Sequence, residues 1–445
     1  MSVEANMSYG SAATASEKSA MRRVLSSAAI GQFVEWYDFV IYAYSATIIA
    51  KLFFPNSDPT AALLSTFAVY AVGFIMRPLG GFLFGSLGDR FGRQKILSFV
   101  ILLMGCATVG IGLLPTYAQI GILAPILLVV CRLVQGLSAA GETIGSNSFV
   151  AEHAPADKRG LYVAFTWSFA VIPPIVAALL VLGLTNSMTP EAYGSWGWRI
   201  PFLISGPLAL VGLYIRNVLE ESPAFKATKA AKRVTTSPIS EAMRSQKRQM
   251  AYSFGLTAFS ALSFYTFVGY FVSYLTTTVG LTSNDALISN SIGLSIACIT
   301  MIVSGGLSDR FGRKPILILG LVVTALSCVP AYLIAAQGNL VSAIIGQGML
   351  AISCGLYWGP VGIALMELFP TRTRFSASAI SYNVAYTIFG GTAPFVGTWM
   401  VLQSGSKIAP AIYMAVVSVI VFFVVLAIPE TSRRSMIHKE DIAEA

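Results

Sequence analysis

Twelve times along its 445 residues the chain turns apolar for about the length a helix needs to cross a bilayer, roughly 20 residues. The stretches lie near residues 25–50, 61–84, 96–116, 121–150, 160–184 and 198–217, and then near 249–277, 285–306, 315–337, 340–366, 375–402 and 408–428. They are called span one to span twelve below. A chain with 55% hydrophobic and only 11% charged residues is no water-soluble globule, whose charged share is about a quarter. Between spans two and three the chain reads Gly85-Ser-Leu-Gly-Asp-Arg-Phe-Gly-Arg-Gln-Lys95. Between spans eight and nine, Asp89-Arg90-Phe91-Gly92-Arg93 recurs as Asp309-Arg310-Phe311-Gly312-Arg313. An identical charged turn in two corresponding places marks an internal duplication. The expected fold is an all-α membrane protein of twelve transmembrane helices in two pseudo-symmetric six-helix halves. Its expected parts are a disordered tail (1–20), a first half (21–219), a linker (220–248), a second half (249–430) and a second tail (431–445).

The net charge of +9 looks like a nucleic-acid signal until the basic residues are placed on this topology. Of the 29 Lys and Arg, Lys51, Arg199 and Lys407 fall on one side and Arg77 and Arg132 within spans, leaving 24 on the other side. That bias puts the rich side, and with it both termini, in the cytoplasm of a cell (inner) membrane. The segment after Arg22-Arg23 is too long for a cleavable signal and carries Glu35 and Asp38, so it reads as the first span. The five cysteines lie in apolar segments without ligand spacing and read as packing residues. No phosphate-binding Gly-x-x-x-x-Gly-Lys motif occurs, so a gradient rather than ATP is the expected energy source. Neither an enzyme activity, a cofactor nor a metal is expected, and the partners are a small molecule, the proton and the lipid bilayer around a monomer.

Charges inside spans are costly and point to function. Span one places Glu35 and Asp38 on one helical face, with Gln32 and Tyr42 beside them; the alternative is that both carboxylates sit in the headgroup zone. Span two carries Arg77, which faces a cavity or snorkels to the surface. Span four carries Arg132, Gln135 and Glu142. Three carboxylates against two arginines leave one acid without a partner, and a proton removes that excess charge. Asp38, deeper in its span than Glu35, is the expected proton carrier, with Glu35 and Glu142 as the other candidates. Histidine offers no intramembrane relay, since His153 and His438 lie outside the spans. Arg77, Arg132, Gln135, Tyr265, Tyr274, Tyr382 and Asn383 are the candidate substrate contacts.

The spacing Gly-x-x-x-Asp-Arg-x-Gly-Arg resembles the loop signature of the major facilitator superfamily, and Arg132-x-x-Gln135-Gly136 with Ala140 resembles its fourth-span motif. Glu35-Trp36-Tyr37-Asp38-Phe39, Met76-Arg77-Pro78, Gly141-Glu142, Trp196-Gly-Trp-Arg-Ile-Pro-Phe202 and Glu367-Leu-Phe-Pro-Thr-Arg372 resemble the metabolite–proton symporter family. That family includes carriers of α-ketoglutarate, citrate, shikimate and proline or betaine. Three positions depart from the pattern: Gln94 replaces a basic residue, Ala139-Ala140 stand where glycine is common, and no coiled coil follows Pro429. The resemblance implies proton-coupled uptake of a small organic acid by alternating access. A zwitterion such as proline or betaine is the alternative within transport, and a non-transporting sensor the alternative outside it. It also implies an inner gate, expected at Asp89, Arg90, Arg93, Glu152 and Arg159 and at Asp309, Arg310, Arg313, Glu367 and Arg374.

Overall fold

The computed structural model describes residues 15–55, 58–91, 93–140, 142–217, 243–369 and 371–432. Every regular element among them is helical. Eight helices are long and apolar enough to cross a membrane: 61–84, Leu123–His153, Arg159–Ser187, Lys247–Val279, Ser283–Phe311, Arg313–Ala335, Leu340–Glu367 and Ala409–Ala427. These are spans two, four, five, seven to ten and twelve. The other four expected spans are helical too, at Ala15–Tyr44 continued by Ala46–Phe53, at Arg93–Leu113, at Ile200–Asn217, and at Thr371–Ala385 followed by Ala393–Ser404. Span one begins at Ala15, inside the stretch expected as a tail. The expected linker falls mostly outside the described residues, as do most of both tails.

The turns follow from local chemistry. Thr282 accepts from the backbone N–H of Asp285 to start span eight, and Asn339 accepts from Ser342 to start span ten. Gly312 separates spans eight and nine with φ +100° and ψ 159°, a conformation that a side chain disfavours. The repeated loop therefore needs its glycine to reverse the chain within one residue.

Besides the interruption of span one at Ser45, three spans depart from regular helix. Span four breaks into Leu123–Ser138 and Glu142–His153 around Ala139-Ala140, which the apolar pattern does not reveal. Span seven carries π-turns at Thr266–Tyr270 and Tyr274–Val279, and span eleven carries one at Tyr386–Gly390, which ends on the first glycine of the Gly390-Gly391 pair. Such turns release backbone groups from the helical ladder and concentrate at functional sites.

Small residues permit the close crossings. A Cβ on Gly136 in span four would lie 1.6 Å from the carbonyl oxygen of Gly73 in span two. Between the expected halves, a Cβ on Gly160 would lie 2.6 Å from the Gly305 carbonyl oxygen, so spans five and eight meet backbone to backbone.

Candidate functional site

Spans one, two and four bring their charges together in a buried interior. Arg77 Nη2 donates to Glu35 Oε1 at 3.0 Å, both side chains being wholly buried. Thr143, in the second segment of span four, donates to the other Glu35 oxygen at 2.8 Å. The rest of the Arg77 guanidinium, Nε and Nη1, has no hydrogen-bond partner. Its carbon stands 4.5 Å from the Phe39 ring centre, 5.1 Å from Phe74 and 5.8 Å from Tyr386, distances at which aromatic faces stabilise a cation.

Arg132 lies in a second aromatic box, 4.4 Å from the Tyr42 ring centre, 4.8 Å from Tyr70 and 5.1 Å from Phe39. Its Nη1 donates to Gln135 Oε1 at 2.8 Å, and Gln135 in turn donates to Thr108 Oγ1 in span three at 2.6 Å. Asp38 is wholly buried beside this chain, within electrostatic reach of Arg132. It accepts a hydrogen bond from Ser205 in span six through Oδ1 and has the Thr108 hydroxyl of span three close by, while Oδ2 has no geometric partner among the described residues. Span one thus presents two carboxylates in different surroundings: Glu35 is ion-paired, and Asp38 is held by a neutral hydroxyl. The side chain of Glu142, the third candidate, lies outside the described residues.

A small cavity of about 20 Å³ sits where the two sets of spans face each other, lined by Trp36, Trp167, Phe264, Trp358 and Tyr386 with Ser260 among them. That is room for about one water, so a metabolite enters only when the walls move. Trp36 packs on Phe264 at 4.6 Å between ring centres, with Tyr265 and Tyr386 close by. Of the expected contacts, Tyr265 and Tyr382 lie within electrostatic reach of Arg77; both hydroxyls are buried, that of Tyr265 without a partner among the described residues and that of Tyr382 against Tyr386.

Two expected contacts are placed differently. Tyr274 packs with Tyr270, Phe271 and Tyr332, 5.0 Å from the last, and does not line the cavity. Asn383 donates to the Ala140 carbonyl at 2.9 Å and to the Ala379 carbonyl at 2.8 Å. It satisfies the backbone that the break in span four exposes. Sequence reasoning missed Ser205, Trp167, Trp358 and Ser260, because a serine or tryptophan in an apolar stretch carries no signal of where it points. Trp36 stood within a quoted motif, yet its place on the cavity wall depends on the opposing spans.

The ends of the spans near Asp309 are latched across the two sets. Asp309 accepts from the backbone N–H groups of Gly160 and Leu161 at 2.8 and 2.9 Å, at the start of span five, where the helix dipole favours a negative charge. Arg313 donates to Asp309 at 2.6 Å and to Glu367 at 3.2 Å. Arg374 reaches Glu152 at 3.1 Å. The acid seven residues before Arg159 therefore pairs with the arginine of the other repeat, while Arg159 lies near enough to Glu367 to act on its charge. Arg310 is exposed, and the side chains of Asp89, Arg90 and Arg93 lie outside the described residues. At the opposite end, Tyr44 donates to Asn290 and Asn284 to Asn186, each at 2.8 Å. Among the described residues, bonds thus join the two sets of spans at both ends.

Membrane-length helices around a closed polar centre, latched at each end by bonds that opening must break, define a secondary transporter. The profile of the sugar (and other) transporter family matches residues 24–442, and the chain belongs to that family. It is 35% identical over 433 residues to the proline/betaine transporter of Salmonella typhimurium, covering 94% of this chain and 85% of that one. Its identity to the ectoine/proline transporter ProP of Corynebacterium glutamicum is 34% over 432 residues, covering 94% and 86%. Among solved structures, the major facilitator superfamily proton:xylose symporter XylE overlays with a TM-score of 0.78 at 19% identity, covering 94% of this chain and 98% of that one. The inward-open form of XylE from E. coli overlays at 0.72, covering 95% and 100%. The fold is accordingly the twelve-helix major facilitator fold, and the chain is a multi-pass membrane transporter, not an enzyme.

Proposed function

We propose that the protein takes up a small carboxylate-bearing metabolite together with a proton, by alternating access. The observation that carries this reading is the half-used Arg77 guanidinium: Nε and Nη1 have no hydrogen-bond partner among the described residues, Tyr265 and Tyr382 lie within electrostatic reach, and the guanidinium carbon is 5.8 Å from the ring of Tyr386, which lines the central cavity. Each of these nitrogens can give a carboxylate oxygen a charge-assisted hydrogen bond. Asp38 is the proton carrier: a buried carboxylate without an ion-pair partner is costly, and protonation removes the charge. A zwitterion such as proline or betaine is the second reading. It is favoured by the aromatic cavity walls, which attract a cationic nitrogen, and by the names of the relatives. Both readings share the carboxylate. The Asp309 end faces the cytoplasm, both termini are inside, and the carrier works as a monomer in the cell membrane.

The test is uptake into proteoliposomes under an imposed pH gradient of radiolabelled α-ketoglutarate, citrate, shikimate, L-proline and glycine betaine. Accumulation of an organic acid supports the first reading and of proline or betaine the second. Accumulation of none overturns both.

A further inference from the structure

We propose that Ser205 is a positioning residue for proton coupling, its hydroxyl holding the unprotonated Asp38 carboxylate ready for the next proton. The proposal rests on the reading of Asp38 as proton carrier. Hydroxyls within membrane helices ordinarily bond a carbonyl of their own preceding turn. Here Thr66, Thr108, Ser138, Ser263 and Thr324 all do so. Ser205 instead gives its proton to Asp38, 167 residues away in sequence.

The surroundings hold it there. The Tyr37 hydroxyl, next to Asp38, donates to the Pro201 carbonyl at 2.8 Å, one helical turn before Ser205. A Cβ on Gly105 would come within 2.4 Å of the Ala209 Cβ, so spans three and six are pressed together one turn beyond it. Asp38 and Ser205 are both wholly buried. The charged and titratable groups facing Asp38 are Arg132 from span four and Tyr37 on its own helix. Spans three and six bring Thr108 and Ser205, which do not titrate. Ser205 is thus the donor to Oδ1, with the Thr108 hydroxyl close enough to the carboxylate to act on it as well, and Oδ2 has no geometric partner among the described residues.

The experiment uses the full chain in proteoliposomes with radiolabelled glycine betaine or α-ketoglutarate, whichever the wild type accumulates. In Ser205→Ala the pH of half-maximal uptake should move upward by about one to two units, the worth of a lost hydrogen bond to a charged group. Counterflow exchange at saturating substrate should stay within about twofold of wild type. Ser205→Thr, which keeps the hydroxyl, should restore the wild-type profile. In the Asp38→Asn background, Ser205→Ala should have no further effect on exchange. An unchanged profile in Ser205→Ala overturns the proposal, as does equal impairment of Ser205→Ala and Ser205→Thr, which would make the site one of packing. Normal pH dependence in Asp38→Asn alone overturns the Asp38 reading, and this proposal with it, in a variant that leaves Ser205 intact.

Discussion

Arg77 and Arg132 are alike in the sequence and differ in their neighbours. Arg77 shares one edge with Glu35 and keeps two nitrogens unpartnered near Tyr265 and Tyr382. Arg132 is engaged by Gln135 and enclosed by Tyr42, Tyr70 and Phe39. Arg77→Lys keeps the charge and loses the fork, so substrate affinity should fall at least about tenfold, about 1.4 kcal/mol. Arg132→Lys should change it less, and equilibrium binding to both variants measures the difference. Asp38→Asn should abolish accumulation driven by a pH gradient while leaving binding and counterflow exchange largely intact. Should that variant still accumulate substrate normally, the proton role passes to Glu35 or Glu142, and the same assay on each decides between them.

At the scale of elements, the junction between spans eight and nine is tied to the end of span twelve. Glu430 accepts from the backbone N–H groups of Arg313 at 2.9 Å and Lys314 at 3.0 Å, so one helix is capped by a carboxylate from another. Partial burial pushes this carboxyl up, but the backbone donors of Ser432, Arg313 and Lys314 outweigh it and hold Glu430 below its ordinary value. A lowered folded value means that the stabilisation is present above the ordinary carboxylate range and is lost as pH falls through the lowered one. Glu430→Ala should cost about 1 kcal/mol at neutral pH, read as a lower unfolding temperature in detergent. The difference from wild type should shrink in acid. Span eleven brings its π-turn to the cavity: Tyr386 both lines it and opens that turn.

The whole molecule is held closed at two ends by few bonds, which is what a carrier that alternates requires. Exposed ion pairs are weak; the Glu152–Arg374 pair and the bonds from the Gly160 and Leu161 backbone to Asp309 reach between the repeats, and the largely buried Arg313 holds Asp309 and Glu367 within the second one. Glu152→Arg alone should open the Asp309 end, raising thiol labelling of cysteines introduced there. Combining it with Arg374→Glu should restore closure, and failure of that rescue would mean the pair does not latch the carrier. The orientation is open to a direct check. Cysteines introduced in both tails and in the 220–248 linker should resist an impermeant thiol reagent applied to intact cells, and labelling of the linker from outside would overturn the assigned topology.

Some of this was legible in residue order and some was not, and the division has a physical cause. Apolar length, the repeated Asp-Arg-Phe-Gly-Arg turn and the intramembrane Glu35, Asp38, Arg77 and Arg132 are local properties of a chain in lipid, where each span must satisfy its own backbone and each charge stands out against it. The class of fold and the presence of a polar centre follow from them. Partnership is not local. Nothing in the sequence says that Arg77 takes Glu35 and leaves Asp38 to Ser205, that Arg374 crosses to Glu152, or that Asn383 covers the carbonyl exposed at Ala140. Those choices depend on which faces of twelve helices meet and how closely glycine lets them approach. Only the packed tertiary structure decides that.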